Sequence, residues 1–234
     1  MGVSLIIPTR NEAANISELL VRLDRLPGGV LGEVIFVDDS DDDTPATIAY
    51  LGPSFDFAVD VVHREPGHRD GGLSGAVLEG FRRARGDWLA VMDADLQHPP
   101  EVLADLFGAA QSYGADIVCA TRNVACGGRD GLGAARDLIS KSFTGFARRA
   151  FPRRLHGVSD PMSGFFLVRR SAVDPGTLRP TGFKILLEIL VRTPGLRRAE
   201  VAYEFAPRHA GASKASLREG VVYLRHLARL RLAA

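Results

Sequence analysis

The fold of this chain is decided by Trp88–His98, a stretch with the sequence WLAVMDADLQH. Its first five residues are apolar and end abruptly in Asp93 and Asp95, the pattern of a buried strand that delivers charge to a sheet edge. Two carboxylates so close together repel each other unless a cation neutralises them. Oxygen ligands of this kind suit Mg²⁺ or Mn²⁺, and a bound cation suggests a phosphorylated ligand. The stretch therefore predicts a metal and phosphate site, with a pair of solvated loop carboxylates as the alternative.

Strand-like and helix-like segments alternate along the first half of the chain. Strands are predicted at Val3–Ile7 (halted by Pro8), Val34–Val37, Ala58–Val62, Trp88–Met92 and Asp116–Ala120. Helices are predicted at Asn11–Leu26, Thr44–Leu51, Ser74–Arg85 (capped by Ser74) and Val102–Ala110. The second half adds helical patterns at Ala134–Phe151, Ile185–Val191 and Leu217–Leu232, and strands at Ser163–Val168 and Val201–Phe205. The alternation predicts an α/β fold with a doubly wound, mostly parallel sheet flanked by helices.

Polar residues follow three of the predicted strands. They are Pro8–Glu12, Asp38–Ser40 and Asp93–Asp95. In a doubly wound sheet, ligands bind beyond the carboxyl ends of the strands. Three polar endings on one edge therefore predict a single ligand site at that edge.

Composition excludes several classes of protein. With 46% apolar and 24% charged residues, the 234-residue chain is typical of one large globular domain. Its two cysteines, Cys119 and Cys126, form neither a zinc site nor a disulfide framework, which indicates a reducing compartment. No apolar run reaches about 18 residues and no charged-then-apolar leader opens the chain, so we expect neither a transmembrane helix nor a signal peptide. We therefore expect a cytoplasmic protein.

Charge is distributed unevenly, although the formal net charge is only +1. Residues 1–60 contain three basic and eleven acidic side chains, whereas 122–154 contain eight basic and two acidic ones. Residues 208–234 contain six basic side chains and one acidic side chain. The pattern predicts that an anionic partner meets the C-terminal half. Nucleic acid is disfavoured as that partner, because the strand-end carboxylates would repel a polyanion.

Six motifs resemble those of a known family. Ile7–Glu12, Val37–Ser40 and Asp93–Pro99 resemble the nucleotide-sugar half of inverting GT-A glycosyltransferases. Ser159–Phe165, Gly182–Glu188 and Arg208–Lys214 resemble dolichol-phosphate (polyprenyl-phosphate) mannose synthases. The match covers nearly the entire chain, with the motifs in the expected order. The resemblance implies a GT-A type fold, with a mixed, mostly parallel sheet and C-terminal amphipathic helices.

The resemblance implies a role for each matched residue. The nucleotide sugar would be held by Pro8, Arg10, Glu12, Val37, Asp39, Asp93, Ala94, Asp95, Gln97, Lys184, Arg208 and Lys214. Asp95 and Gln97 would be the ligands of the Mg²⁺ or Mn²⁺ ion. The acceptor phosphate would lie at Arg122, Arg136 and Ser140, and the catalytic residues would be Asp95, Arg122, Lys184 and Arg208. Arg10 departs from the family pattern, which commonly has an aromatic residue there, and the preference for a base is open on that account.

The activity implied by the resemblance is transfer of a mannosyl residue from GDP-mannose to a polyprenyl monophosphate, with inversion. The enzyme would be peripheral on the cytoplasmic face of the membrane, with a separate membrane-anchoring subunit as a candidate partner. One alternative is the same fold with another nucleotide sugar, such as UDP-glucose, or another acceptor. A less favoured alternative is a non-catalytic basic module that binds membrane or nucleic acid.

The predicted organisation is one catalytic domain followed by a helix. Residues 1–215 form the domain, with a nucleotide-sugar half at about 1–121 and an acceptor half at about 122–215. Residues 216–234 form an amphipathic helix. This helix and the basic, aromatic stretch Ala134–Phe151 are each open to two interpretations. Either they lie in a membrane interface, or they pack on the core with a solvated basic face.

The nature of the acceptor determines which side chains the site needs. A hydroxyl acceptor requires a general base, whereas a phosphate monoester is already an anion and requires positive charge instead. The surplus of cations among the matched residues favours a phosphate acceptor. Asp160 or Glu188 could still serve as a base, so a hydroxyl acceptor is the alternative.

Overall fold

The computed structural model describes residues 2–122, 143–179, 182, 184–206, 209 and 217–233. Seven strands are present there: β1 Val3–Thr9, β2 Leu31–Asp38, β3 Ala58–His63, β4 Trp88–Val91, β5 Ile117–Arg122, β6 Phe166–Arg169 and β7 Arg198–Tyr203. The helices are α1 Ala13–Asp24, α2 Thr44–Leu51, α3 Gly72–Arg83, α4 Val102–Ser112, α5 143–150, α6 Ile185–Arg192 and α7 Leu217–Ala233. The predicted elements are therefore confirmed wherever the structure describes them, apart from their bounds.

The strands form one sheet in the order β3-β2-β1-β4-β6-β5-β7. The pairs β1–β2, β1–β4, β2–β3 and β5–β7 are parallel. β6 is antiparallel to both of its neighbours, β4 and β5. The prediction of a mixed, mostly parallel sheet flanked by helices is confirmed.

Apolar side chains cover both faces of the sheet. Successive residues of β1 alternate between the faces, so that Leu5 packs in the cluster with α1 and α4, and Ile6 in the cluster with α3 and α6. A strand that is buried on both sides needs a continuous apolar run, which is the pattern of β1 and β4. Gly80 allows α3 to approach the sheet, since a Cβ there would lie 2.5 Å from the Ile6 side chain.

Pro8 lies inside β1 and does not end it, which corrects the predicted boundary. Pro8 pairs with Val37 of β2, whereas the β1–β4 ladder ends at Ile6 and Val91. The missing N–H of proline is therefore placed beyond the last pair with β4, where it costs no ladder hydrogen bond.

The start of α3 also differs from the prediction that Ser74 caps it. The helix begins at Gly72, after Gly71 adopts a left-handed conformation with φ 74°. Glycine reaches this conformation without steric cost. The Ser74 N–H donates to the Gly182 carbonyl at 2.8 Å, so a carbonyl from the second half of the chain caps the helix.

No helix in the described part of the chain is both long enough and apolar enough to cross a membrane.

Candidate active site

The three polar strand ends lie side by side, because β2, β1 and β4 are adjacent in the sheet. The Asp39 N–H donates to the Thr9 carbonyl at 2.9 Å. Beyond β1, Asn11 adopts a left-handed conformation with φ 54°, which asparagine tolerates better than most residues. Its N–H donates to the Ser40 hydroxyl, and its side-chain oxygen accepts from the Asp41 N–H. The first two polar segments therefore form one hydrogen-bonded unit.

Asp38, the last residue of β2, holds this unit in place through side-chain hydrogen bonds. Its carboxylate is fully buried and accepts hydrogen bonds from the hydroxyls of Thr9 and Ser40. The same carboxylate lies 2.7 Å from Nδ1 of His63. A buried carboxylate with this many partners fixes the loop after β2.

Asp39 faces Arg64, a residue to which the sequence analysis gave no role. Arg64 donates through Nε to Oδ1 at 2.8 Å and through Nη2 to Oδ2 at 2.6 Å. It also donates to the carbonyls of Asp70 and Gly72. This planar, two-pronged geometry suits arginine and carboxylate, and it ties the loop before α3 to the end of β2. A single arginine in a loop offers no sequence signal for such a contact.

The remaining residues predicted for the nucleotide lie along the same edge. Val37 is fully buried in the core, so only its main chain can meet a ligand. Pro8 and Glu12 are partly exposed and Arg10 is exposed. Glu12 accepts a hydrogen bond from the Asn15 side chain at 2.6 Å.

The acidic motif forms a tight turn after β4. Ala94 and Asp95 are buried, whereas the side chain of Asp93 is 40% exposed. Between Asp95 and Gln97, Leu96 adopts a left-handed conformation with φ 61°, which costs a branched residue about 1–2 kcal/mol. The Gln97 N–H donates to Oδ1 of Asp95 at 3.1 Å. The turn is thus held in a strained conformation that keeps both carboxylates at the edge of the sheet.

The donor set of this turn fits a hard divalent cation. It consists of oxygen atoms from Asp93, Asp95 and Gln97, which are the ligands that Mg²⁺ and Mn²⁺ prefer. Within the described ranges, no group of three or more His, Cys, Asp or Glu residues is placed to hold a metal. Such cations are commonly held by one or two carboxylates together with substrate phosphates, so two carboxylates are sufficient when a diphosphate is present.

His98 lies directly below the turn. It is buried, with Nδ1 2.6 Å from the Tyr203 hydroxyl and Nε2 3.5 Å from Oδ2 of Asp93. Among the candidate site residues predicted from the sequence, His98 was absent. The signal was absent from the sequence because Tyr203 is 105 residues away.

The segment after β7 runs alongside the acidic turn. The Ala206 N–H donates to the Gln97 carbonyl at 3.0 Å, and the His209 N–H donates to the Asp95 carbonyl at 3.3 Å. This is the segment to which the predicted phosphate-binding motif belongs. Arg208 and Lys214, like the predicted acceptor residues Arg136 and Ser140, lie outside the described residues.

Two predicted cations of the acceptor half are described. Arg122, at the end of β5, donates to Asp160 at 3.1 Å and lies 5.7 Å from the centre of the Phe205 ring. Lys184 immediately precedes α6 and donates from Nζ to the Met162 carbonyl at 2.9 Å. Through these contacts, both cations hold the Ser159–Phe165 motif.

The two acidic residues considered as bases have structural partners. Oδ2 of Asp160 accepts from Arg122, and Oδ1 accepts from the Met162 N–H. Glu188 is fully buried and accepts from the Arg179 N–H and from Nε of Arg192. A fully buried carboxylate engaged in this way cannot reach a substrate hydroxyl.

Comparison with known proteins identifies the family. Residues 4–176 match glycosyl transferase family 2. The chain is 41% identical over 230 residues to a dolichol-phosphate mannosyltransferase of Pyrococcus furiosus, and it spans 64% of that relative's length. It is 33% identical over 243 residues to the dolichol-phosphate mannosyltransferase of Saccharomyces cerevisiae, with 97% of this chain and 86% of the relative covered.

A solved structure with the same fold is glucosyl-3-phosphoglycerate synthase from Mycobacterium tuberculosis, in complex with Mn²⁺, UDP and glucosyl-3-phosphoglycerate. The TM-score is 0.71 with 22% identity, over 99% of this chain and 78% of that one. This likeness confirms the GT-A type fold. The match over residues 4–176 and the sequence relatives show that the chain belongs to glycosyl transferase family 2 and, within it, to the group of the dolichol-phosphate mannosyltransferases.

Proposed function

We propose that this protein transfers a mannosyl residue from GDP-mannose to a polyprenyl monophosphate, with inversion at the anomeric carbon. The observation that carries the proposal is the identity of 33–41%, along 97–98% of this chain, to enzymes named dolichol-phosphate mannosyltransferases. The geometry of the described site agrees with each half of this reaction.

On the donor side, the strand ends of β1 and β2 would receive the nucleotide, with Asp39 held in place by Arg64. Asp95 and Gln97 would hold the Mg²⁺ or Mn²⁺, and Asp93 would meet the ion and the diphosphate. A divalent ion bound there would stabilise the negative charge that develops on the departing diphosphate. The strained turn at Leu96 holds these groups in place before the substrate arrives.

On the acceptor side, the described residues favour a phosphate over a hydroxyl. A hydroxyl acceptor needs a general base, yet Asp160 is paired with Arg122 and Glu188 is fully buried. A phosphate monoester needs no base, since it is already an anion. It needs cations to offset its repulsion from the donor diphosphate, which Arg122 and Lys184 would supply. Arg208 and Lys214 on the donor, and Arg136 and Ser140 on the acceptor, remain predictions for the same task.

A polyprenyl acceptor requires contact with a membrane, and α5 and α7 form a surface suited to it. The rings of Phe143 and Tyr223 contact each other at a tilt of 38°, with centres 4.6 Å apart, which packs the two helices together. Phe146 and Leu224 are nevertheless exposed, beside several exposed arginines of the same helices. Apolar side chains flanked by arginine are typical of helices that lie in a membrane interface. We place this surface on the cytoplasmic face, with or without a separate anchoring subunit.

The proposal is tested with purified protein, Mn²⁺ or Mg²⁺, a short-chain polyprenyl phosphate and a panel of donors. GDP-mannose should give a polyprenyl-phosphate mannose whose anomeric configuration is opposite to that of the donor. Addition of EDTA should abolish transfer, and either metal should restore it. Transfer from UDP-glucose in preference to GDP-mannose would change the proposed donor. Transfer of the sugar to water alone, or no transfer with any of the donors, would overturn the proposal.

Membrane contact has its own test. The full chain should sediment with vesicles that contain anionic lipid, and substitution of Phe146 and Leu224 by serine should weaken this binding. Substitution of Tyr50 and Tyr113, which are exposed but lie outside α5 and α7, serves as the control. Equal binding of the two double variants to the vesicles would show that α5 and α7 do not contact the membrane.

A further inference from the structure

His98 connects a buried phenol to an exposed carboxylate of the site. Its Nδ1 lies 2.6 Å from the Tyr203 hydroxyl, and its Nε2 lies 3.5 Å from Oδ2 of Asp93. The His98 side chain is only 6% exposed, whereas the Asp93 side chain is 40% exposed. The imidazole therefore has one nitrogen facing the interior and the other facing the acidic turn.

Aromatic side chains prevent this ring from turning. The ring centres of Phe165, Tyr203 and Phe205 each lie 5.5 Å from that of His98. Phe165 and Phe205 meet it edge to face, an arrangement that stabilises aromatic pairs. A half turn of the imidazole would place ring carbons where the two nitrogens lie and would lose both polar contacts.

The chemistry of the three groups decides where the protons lie. An ionised carboxylate only accepts hydrogen bonds, so at 3.5 Å it favours a hydrogen rather than a lone pair on the nitrogen that faces Asp93. A neutral imidazole has a single N–H, which leaves Nδ1 as an acceptor. The Tyr203 hydroxyl is then the donor to Nδ1. Burial raises the pKa of the Tyr203 phenol, so it keeps the proton that it has to donate.

Gly164 leaves the space that this contact needs. A Cβ at this position would lie 3.1 Å from Oδ2 of Asp93 and 3.5 Å from Nε2 of His98. The neighbouring Ser163 fixes the segment, since its hydroxyl donates to the Ala120 carbonyl at 2.8 Å and accepts from the Phe165 N–H. The motif around Gly164 thus packs against Asp93 without covering it.

We propose that Tyr203 and His98 are positioning residues, which hold Asp93 in the orientation that meets the metal and the diphosphate. Tyr203 selects the tautomer of His98 with the hydrogen on Nε2, and this N–H is directed at the Asp93 carboxylate. The role in metal and diphosphate binding rests on the proposed function. The tautomer of His98 does not rest on the proposed function, since it follows from contacts within the protein.

The tautomer is read directly by ¹⁵N NMR of histidine-labelled protein, with the His98 signals assigned from their loss in His98→Gln. We expect a protonated Nε2 and an unprotonated Nδ1 in the wild type, and a loss of this preference in Tyr203→Phe. A wild-type His98 with its hydrogen on Nδ1 would overturn the inference, whether or not the protein transfers mannose.

Binding of Mn²⁺ in the presence of GDP, followed by electron paramagnetic resonance, tests the consequence for the site. His98→Gln keeps an amide donor near the position of Nε2, whereas His98→Asn places its amide near Nδ1, too far from Asp93. Groups that orient metal-binding residues typically change affinity by about 10–100-fold when removed. We therefore expect a loss of about tenfold in Tyr203→Phe and His98→Asn, with most of the affinity kept in His98→Gln.

Tyr223→Phe is the matched control. This second buried phenol donates to the Phe143 carbonyl at 2.7 Å, on α7 and away from the acidic turn. Its loss should lower the unfolding temperature without changing Mn²⁺ affinity. If Tyr203→Phe binds Mn²⁺ as the wild type does, the positioning role is refuted. A wild type that binds Mn²⁺ and GDP but transfers no sugar would overturn the proposed function and leave the positioning role intact.

Discussion

Arg64 and Asp39 form a two-pronged ion pair at the end of β2, with N–O distances of 2.8 and 2.6 Å. Both side chains are largely buried, at 9% and 13% exposure. Because Arg64 also donates to the carbonyls of Asp70, just before α3, and of Gly72, its first residue, the pair joins the candidate nucleotide site to that helix.

Replacing Arg64 by methionine should destabilise the protein by about 3 kcal/mol, because it leaves the Asp39 carboxylate buried without its partner. Urea unfolding measures this change. Arg22→Met is the control, since Arg22 makes a similar pair with the exposed Glu101 and its loss should cost about 1 kcal/mol or less. In Arg64→Met, the KM for the nucleotide sugar should rise. Equal losses of stability in the two variants would show that burial of the Arg64 pair has no energetic consequence.

Asp95→Asn should reduce turnover by about 100-fold or more, since the charge that would offset the departing diphosphate is lost. The far-ultraviolet circular dichroism spectrum should be unchanged, because an asparagine oxygen can still accept from the Gln97 N–H. Asp105→Asn, on the exposed side of α4, should behave as the wild type. Substantial activity in Asp95→Asn would refute the metal assignment.

Lys184→Met should impair use of the acceptor more than binding of the donor. The ammonium group is expected to face the acceptor phosphate, and a charged hydrogen bond is worth about 1.5–3 kcal/mol, or roughly a tenfold to hundredfold change. Steady-state kinetics with each substrate varied in turn gives the comparison. Arg179→Met removes a nearby cation whose guanidinium donates to the carbonyls of Gly176 and Leu178. Identical kinetics for Lys184→Met and Arg179→Met would exclude Lys184 from the site.

Gly164→Ala should lower turnover by on the order of tenfold, because a methyl group there would displace the Asp93 carboxylate, and small shifts of reacting groups are costly. The loss should appear without unfolding. Gly108→Ala, in α4 with no atom within 4 Å of the added methyl group, should keep full activity and gain about 0.5–1 kcal/mol of stability. A fully active Gly164→Ala would show that the Asp93 carboxylate tolerates displacement.

His226 should make the stability of the protein depend on pH. It is buried on α7, and burial lowers its pKa, with Arg229 and Arg192 acting in the same direction and Glu188 opposing them. Below about pH 6.5, the usual pKa of histidine, the unfolded chain takes up a proton that the folded state resists. The stabilisation is therefore present above this pH and is lost as the pH falls.

Urea unfolding between pH 7.5 and pH 5.5 checks this prediction. The wild type should lose stability over this range, and His226→Gln should lose less, because glutamine does not titrate. His156→Gln replaces an exposed histidine and should follow the wild type. Parallel curves for all three proteins would show that the His226 side chain does not take part in the pH dependence.

Periodicity predicted the parallel part of the fold because β1, β2 and β4 each contain a short apolar run that is followed by polar residues. For the same reason, the position of Asp39 and Asp95 after strands that end at the same edge of the sheet was predictable. The position of β6 was not, since a strand of four residues gives no signal of the partners that it inserts between. The contacts of Arg64 with Asp39 and of His98 with Tyr203 join residues 25 and 105 positions apart, and only the assembled sheet brings them together.

The antiparallel strand β6 has a consequence for biosynthesis. It separates β4 from β5, yet it follows β5 by more than forty residues in the sequence. When the first 130 residues have emerged from the ribosome, five strands are exposed. Two of them, β4 and β5, still lack β6, the strand that lies between them in the sheet. Those unsatisfied edges are where a growing polypeptide would aggregate or recruit a chaperone, until Phe166–Arg169 emerges and completes the hydrogen-bonded ladder.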